Sequence, residues 1–285
     1  MNSGALDAFF LDAGAGRSGA RWCVHHAPAG PVQGAFVFAH GWAEEMNKSR
    51  RMVALQARAW AAQGVATLTI DLTGCGDSTG TLADATWDDW LLDLALAVRW
   101  MEARHGVTTG LWGLRAGALL AAQAAARLGP RPLVLWQPPA KGAPLLQQFL
   151  RLKMAGELAS GGGRGVTEGL KQALARGEAV DVAGYTVPAA LARGLEAATL
   201  EAATPPPGTP VAWLEVVAPS PTPSPTPSPA PSPSLLPVSE SLTARWRDAG
   251  VRLHAQAVPG PGFWQTTEIE TAPALVEATL RATAE

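Results

Sequence analysis

Short apolar runs alternate with stretches of helical spacing along most of this chain. Ala8–Leu11 and Arg21–His25 read as two early strands, and Ala35–His40 as a buried strand ending at His40-Gly41. Asn47–Gln63 repeats its apolar positions at helical spacing (Met52, Leu55, Ala59), with Asn47 suited to the N-cap and Gly64 to the C-cap. Ala66–Asp71 is the next strand, and Thr86–His105 a helix capped by Thr86, with Trp90, Leu94 and Val98 on one stripe. Gly110–Gly113 closes another strand, Ala116–Leu128 follows as an Ala-rich helix, and Pro132–Gln137 is a further strand. Strands alternating with helices of this length predict right-handed crossovers and an α/β architecture, a mostly parallel, doubly wound sheet.

The pattern changes after Pro138. Pro144–Leu158, Thr167–Arg176 and Pro188–Leu200 have helical spacing, no clear strand appears, and Pro188 suits a first helical turn. This predicts a helical insertion over residues 138–207, placed above the C-terminal ends of the strands, with the core formed by residues 1–137 and 208–285. The sheet resumes with Pro210–Val217 and Val251–Val258, accompanied by helices Ser239–Ala249 and Ala272–Ala284. Proline occupies every odd position from Pro219 to Pro233. Such a segment lacks half its backbone donors, so residues 218–234 read as a solvated, polyproline-like loop, either a tolerated low-complexity insertion or a docking tract for a protein partner.

Composition narrows the classes. The 285 residues are ample for one large core, and a net charge of −2 gives no basic excess for nucleic acid. Two cysteines, Cys23 and Cys75, form neither a disulfide framework nor a metal-binding pair, and no cofactor motif appears. No apolar run reaches the roughly 18 residues of a membrane span, and Met1–Gly16 lacks the pattern of a signal peptide, so a cytoplasmic location is expected.

Three places in such a sheet carry chemistry. The first is Trp112-Gly113-Leu114-Arg115-Ala116-Gly117, which has the Gly-x-Nuc-x-Gly form of a nucleophile elbow with Arg115 at the tip. Arginine stays charged and is no nucleophile. The second is the loop His40-Gly41-Trp42-Ala43-Glu44-Glu45, whose start resembles an oxyanion loop and which adds two adjacent carboxylates. The third is the pair of loops due to carry a triad acid and base. After Val217 no carboxylate occurs before Glu240, and Pro259–Gln265 contains no histidine. His254 lies within the strand.

Four segments are distinctive: Gly41–Met52, Asp71-Leu72-Thr73-Gly74-Cys75-Gly76-Asp77-Ser78, Trp112–Arg115 and Gln148-Phe149-Leu150-Arg151-Leu152. Together they resemble the exosortase A system-associated hydrolase 2 family, a branch of the α/β-hydrolases, over nearly the whole chain outside the Pro-rich tract. The resemblance implies an α/β-hydrolase fold and a role in bacterial exopolysaccharide biosynthesis and PEP-CTERM protein sorting. Two functions remain open. One is a non-standard hydrolase or acyltransferase acting on an acyl or anionic substrate through Arg115, Glu44 and Glu45. The other is an inactive pseudohydrolase that binds an anionic metabolite or a partner. His40, Gly41, Trp42, Gly113, Leu114, Ala116, Asp71 and Gln137 are the expected oxyanion-loop or substrate-binding positions, with Lys141 and Arg151 over the pocket. Cys75 and Ser78 fit turn chemistry better than nucleophilic attack, and Lys48, Arg50 and Arg51 fit a solvated helix face.

Overall fold

The computed structural model describes residues 4–14, 16–158, 165–218 and 233–284. The Pro-rich residues 219–232 and most of the glycine run near 161–165 lie outside the described residues.

The described residues form ten strands, β1 (Leu6–Asp12), β2 (Ala20–His26), β3 (Gly34–Ala39), β4 (Val65–Ile70), β5 (Thr109–Leu114), β6 (Leu133–Trp136), β7 (Val180–Val182), β8 (Tyr185–Val187), β9 (Pro210–Val217) and β10 (Arg252–Pro259). Eight of them make one sheet in the order β1-β2-β4-β3-β5-β6-β9-β10. The β1–β2 and β2–β4 pairs are antiparallel and the rest parallel. The helices are α1 (Glu44–Ala61), α2 (Trp87–His105), α3 (Ala116–Leu128), α4 (Ala143–Leu158), α5 (Val166–Ala175), α6 (Ala189–Ala197), α7 (Pro237–Asp248) and α8 (Pro273–Thr283).

Alternation along the central strands divides the core between two faces. Val37 and Leu111 join the cluster under α2, α3 and α7, while Phe36, Phe38, Trp112 and Leu114 join the one under α1 and α8. Four tryptophans, Trp60, Trp112, Trp136 and Trp264, lie on the second face. Phe36 stacks on Trp60 at 4.7 Å, and Trp112 meets the edges of Trp60 and Trp136. Two of these buried indoles find acceptors: Thr279 and Thr283, one turn apart on α8, accept from Trp136 and Trp60 at 2.9 and 3.0 Å.

Several sequence expectations change. Helix α1 begins at Glu44, so Asn47 lies inside it and is no cap, and Ala62, not Gly64, is its C-cap residue. The two glutamates then occupy the first turn, where the helix dipole favours negative charge. Between 138 and 207 the chain forms α4, α5 and α6, but also the β7–β8 hairpin, turned at Ala183-Gly184. Strands of three residues leave too few alternations to read from sequence. Pro188 precedes α6 as its N-cap residue and is not in the first turn.

One buried histidine, paired with a half-buried one, makes the fold sensitive to acid. His25 of β2 has Nε2 3.0 Å from that of His105 on α2, with Asp7, Arg104 and Trp100 around it. Burial, then the His105 and Arg104 charges, lower its pKa from 6.5 to about 4. The folded state therefore binds fewer protons than the unfolded chain between those values. Stability is complete above pH 6.5 and falls as pH drops toward 4. From pH 7 to 5 the loss through His25 is expected to be about 1–2 kcal/mol. Urea midpoints at the two pH values would show it, and His25→Asn should flatten the difference.

Candidate active site

The elbow is built as its glycines require. β5 passes into α3 through Arg115, whose φ of 56° and ψ of −117° lie in a region that favours glycine. A Cβ on Gly113 would stand 2.2 Å from the Gly117 carbonyl oxygen, and one on Gly117 2.1 Å from that of Ala39. The turn therefore presses β5, α3 and the end of β3 together and projects residue 115 above the sheet. A non-glycine residue in such a conformation costs about 1–3 kcal/mol. Local stability alone would favour glycine at 115. Ala43 (φ 49°) and Gln137 (φ 45°), in the loops after β3 and β6, have positive φ at the same end of the sheet.

Arg115 meets Glu45 there. Its Nε donates to Glu45 Oε1 at 3.0 Å, and its Nη2 makes a long contact of 3.4 Å with Gln148 Oε1 on α4. The guanidinium lies over the Trp264 ring, 5.8 Å from its centre. The second carboxylate oxygen, Oε2, accepts from the Trp42 backbone N–H at 3.1 Å. That N–H belongs to the loop after β3, the usual source of one oxyanion-hole donor. Burial pushes the Glu45 carboxyl above the ordinary carboxylate range, against the Arg115 charge and the Trp42 hydrogen bond, which lower it. The elbow thus already cradles a carboxylate, supplied by the chain itself. Arg115 spends only one edge on it, and its outer nitrogens meet no carboxylate among the described residues.

A cleft of about 250 Å³ opens beside this pair. Trp42, Ala43, Glu44, Glu45 and Lys48 form one wall, and Leu145, Gln148, Phe149 and Leu152 of α4 another; Arg115, Ala183, Trp264 and Gln265 complete it. The spacing 145, 148, 149, 152 is one face of a helix.

Of the residues expected from sequence, Arg115, Glu44, Glu45 and Trp42 are brought together in the cleft. Glu44 is turned away from Arg115 and accepts from Tyr185 Oη at 2.7 Å, tying the β7–β8 hairpin to α1. Gly41, Gly113, Leu114 and Ala116 shape the turns beneath without lining the cleft. His40 lies behind. Burial holds its ring neutral, Nδ1–H donates to the Gly41 carbonyl at 2.8 Å and Nε2 accepts weakly from Leu72 N–H at 3.4 Å, one tautomer satisfying both. Asp71 is held by Arg50 and by the Asp77 N–H. Ser78 donates to the Asp71 carbonyl and accepts from Trp22 N–H, and burial raises the Cys75 thiol to about 12, which keeps it protonated.

Four residues lie elsewhere than the sequence suggests. Gln137 does not face the cleft, because its Oε1 accepts from Val216 N–H at 2.7 Å and pins β6 to β9. Lys141 pairs with Thr199 in an isolated bridge, and Arg151 is on the exposed side of α4. Lys48, read from sequence as part of a solvated face, lines the cleft because α1 starts three residues earlier than its spacing suggested. Gln148, Phe149 and Leu152 fall within a distinctive motif, but nothing in sequence spacing says which helix face meets the elbow. Trp264 and Gln265 occupy the loop after β10 where a base was expected.

Residues 30–170 match the family described as serine aminopeptidase, S33. No curated protein matches the sequence. Est1E from Butyrivibrio proteoclasticus with bound ferulic acid is similar in structure, with a TM-score of 0.66 and 17% identity over 98% of this chain and 100% of that one. A proline iminopeptidase-related protein from Thermus thermophilus gives 0.58 and 17% over 98% of each. XC6422 from Xanthomonas campestris, an α/β serine hydrolase without a lid, gives 0.53 and 16% over 98% of this chain and 94% of that one. With this sheet order, this elbow and these structural neighbours, the chain has the α/β-hydrolase fold and carries Arg115 at the elbow tip.

Proposed function

We propose that this protein is a pseudohydrolase that binds a ligand through a carboxylate or phosphate group at Arg115. The single observation behind this reading is the Glu45 carboxylate bridged between the Trp42 N–H and Arg115 Nε in a cleft that Arg115 lines, where Nη2 makes only the long contact with Gln148. Serine-hydrolase chemistry needs a nucleophile at the tip and free oxyanion donors. Here the tip is a cation, and one expected donor already holds an anion. Lys48 adds a second positive group to the same cleft. The four sequence segments that resemble exosortase A system-associated hydrolases support a place in bacterial exopolysaccharide biosynthesis and PEP-CTERM sorting.

A second reading has one observation in its favour. The raised pKa of Glu45 would suit a general base acting on water. Calorimetry with phosphate and acetate, beside a turnover assay on aryl esters and acyl thioesters, separates the two. The expected result is anion binding weakened about 10- to 100-fold by Arg115→Met, the usual worth of a charge-assisted contact, with no turnover. Turnover abolished by both Glu45→Gln and Arg115→Met would establish the enzyme and end the binding reading.

A further inference from the structure

Resting on the anion-binding reading, we infer that the ligand is a monocarboxylic acid with a short apolar body, its head at Arg115 and Lys48 and its body against α4. Two features select the head. The elbow already accommodates a planar carboxylate in Glu45, held by one guanidinium edge and one backbone N–H. Charge selects it too. Arg115 and Lys48 share the cleft with Glu44 and Glu45, so formal charges there cancel, and a single negative charge is compensated more readily than the double charge of a phosphate monoester.

The walls select the body. Leu145, Phe149 and Leu152 present one apolar stripe of α4, and Trp42 meets the Phe149 ring edge-on at 5.9 Å. Leu152 is 52% exposed at the cleft mouth, an apolar side chain with nothing of this chain to cover it among the described residues. The volume, about 250 Å³, is below the roughly 300–1,000 Å³ of sites that enclose drug-sized ligands. It fits a short acyl chain or one aromatic ring. Glu45 stays on the Nε edge, and the ligand takes the outer edge of the guanidinium.

The test is a calorimetric series on the full chain with acetate, butanoate, hexanoate, octanoate and octanol, and with inorganic phosphate as the probe of the head site alone. Affinity should rise about three- to fourfold per added methylene until the cleft is filled. Octanol should bind at least tenfold more weakly than octanoate, and Leu152→Ser should cut the octanoate-to-acetate ratio severalfold. Glu45→Gln, which removes the competing charge, should tighten every carboxylate. Phosphate and acetate binding through Arg115 with no gain along the series would overturn this inference and leave the anion-binding reading standing. No binding of any anion would remove both. Octanol binding as tightly as octanoate would overturn the choice of a carboxylate head.

Discussion

Asp93→Ala is expected to cost about 3–5 kcal/mol, the usual penalty for leaving a buried charge without its partner. Asp93 is fully buried on α2. Its Oδ1 lies 2.7 Å from Arg21 Nε and 2.8 Å from Arg17 Nη2. Its Oδ2 accepts from the N–H and hydroxyl of Thr73 at 2.6 and 2.7 Å. One carboxylate thus joins the β1–β2 hairpin, α2 and the loop after β4. Arg21 is itself only 2% exposed and would keep its charge with no counter-ion. A chemical denaturation midpoint measures the loss. Asp93→Asn, which keeps the shape and removes the charge, should still cost more than about 2 kcal/mol, because the buried Arg21 charge loses its partner.

Gly117→Ala should cost about 3 kcal/mol or more and should also abolish anion binding at Arg115. The added methyl would stand 2.1 Å from the Ala39 carbonyl oxygen and 2.5 Å from that of His40. Both are backbone atoms at the end of β3, so no side chain can turn aside. Helix α3 must move off the sheet, and Arg115 at its start moves with it. Gly129→Ala is the informative control. That glycine ends the same helix with open space around it, although its φ of 92° adds local strain. It should lower the melting temperature without changing phosphate affinity, whereas Gly117→Ala should change both.

Hydrophobic periodicity placed the sheet and its helices well because their signals are local. The Ala-rich helix Ala116–Leu128 and the strand Pro210–Val217 have the bounds that spacing predicts, and Thr86 caps α2 by accepting from Asp89 N–H at 3.0 Å. Helix α1 starts ahead of any cap signal, since Ala43 and Glu44 carry none, and Gly41 packs closely against Glu45 where the turn begins. The hairpin β7–β8 leaves no sequence signal, because a three-residue strand has no readable period.

The site divides in the same way. Sequence alone placed Arg115 at the tip of a strand-to-helix turn, and it showed no histidine where a base belongs, because the Gly-x-x-x-Gly spacing and strand ends are properties of neighbouring residues. Tertiary structure decided which partner Arg115 takes. Glu44 and Glu45 are adjacent in sequence, but the start of α1 directs one to Tyr185 and the other to the guanidinium. It also decided that Gln137 serves the sheet, that Lys48 reaches the cleft and that α4 supplies its apolar wall. Those are contacts between elements far apart in the chain, set by how helices pack over the end of a sheet, and no local pattern encodes them.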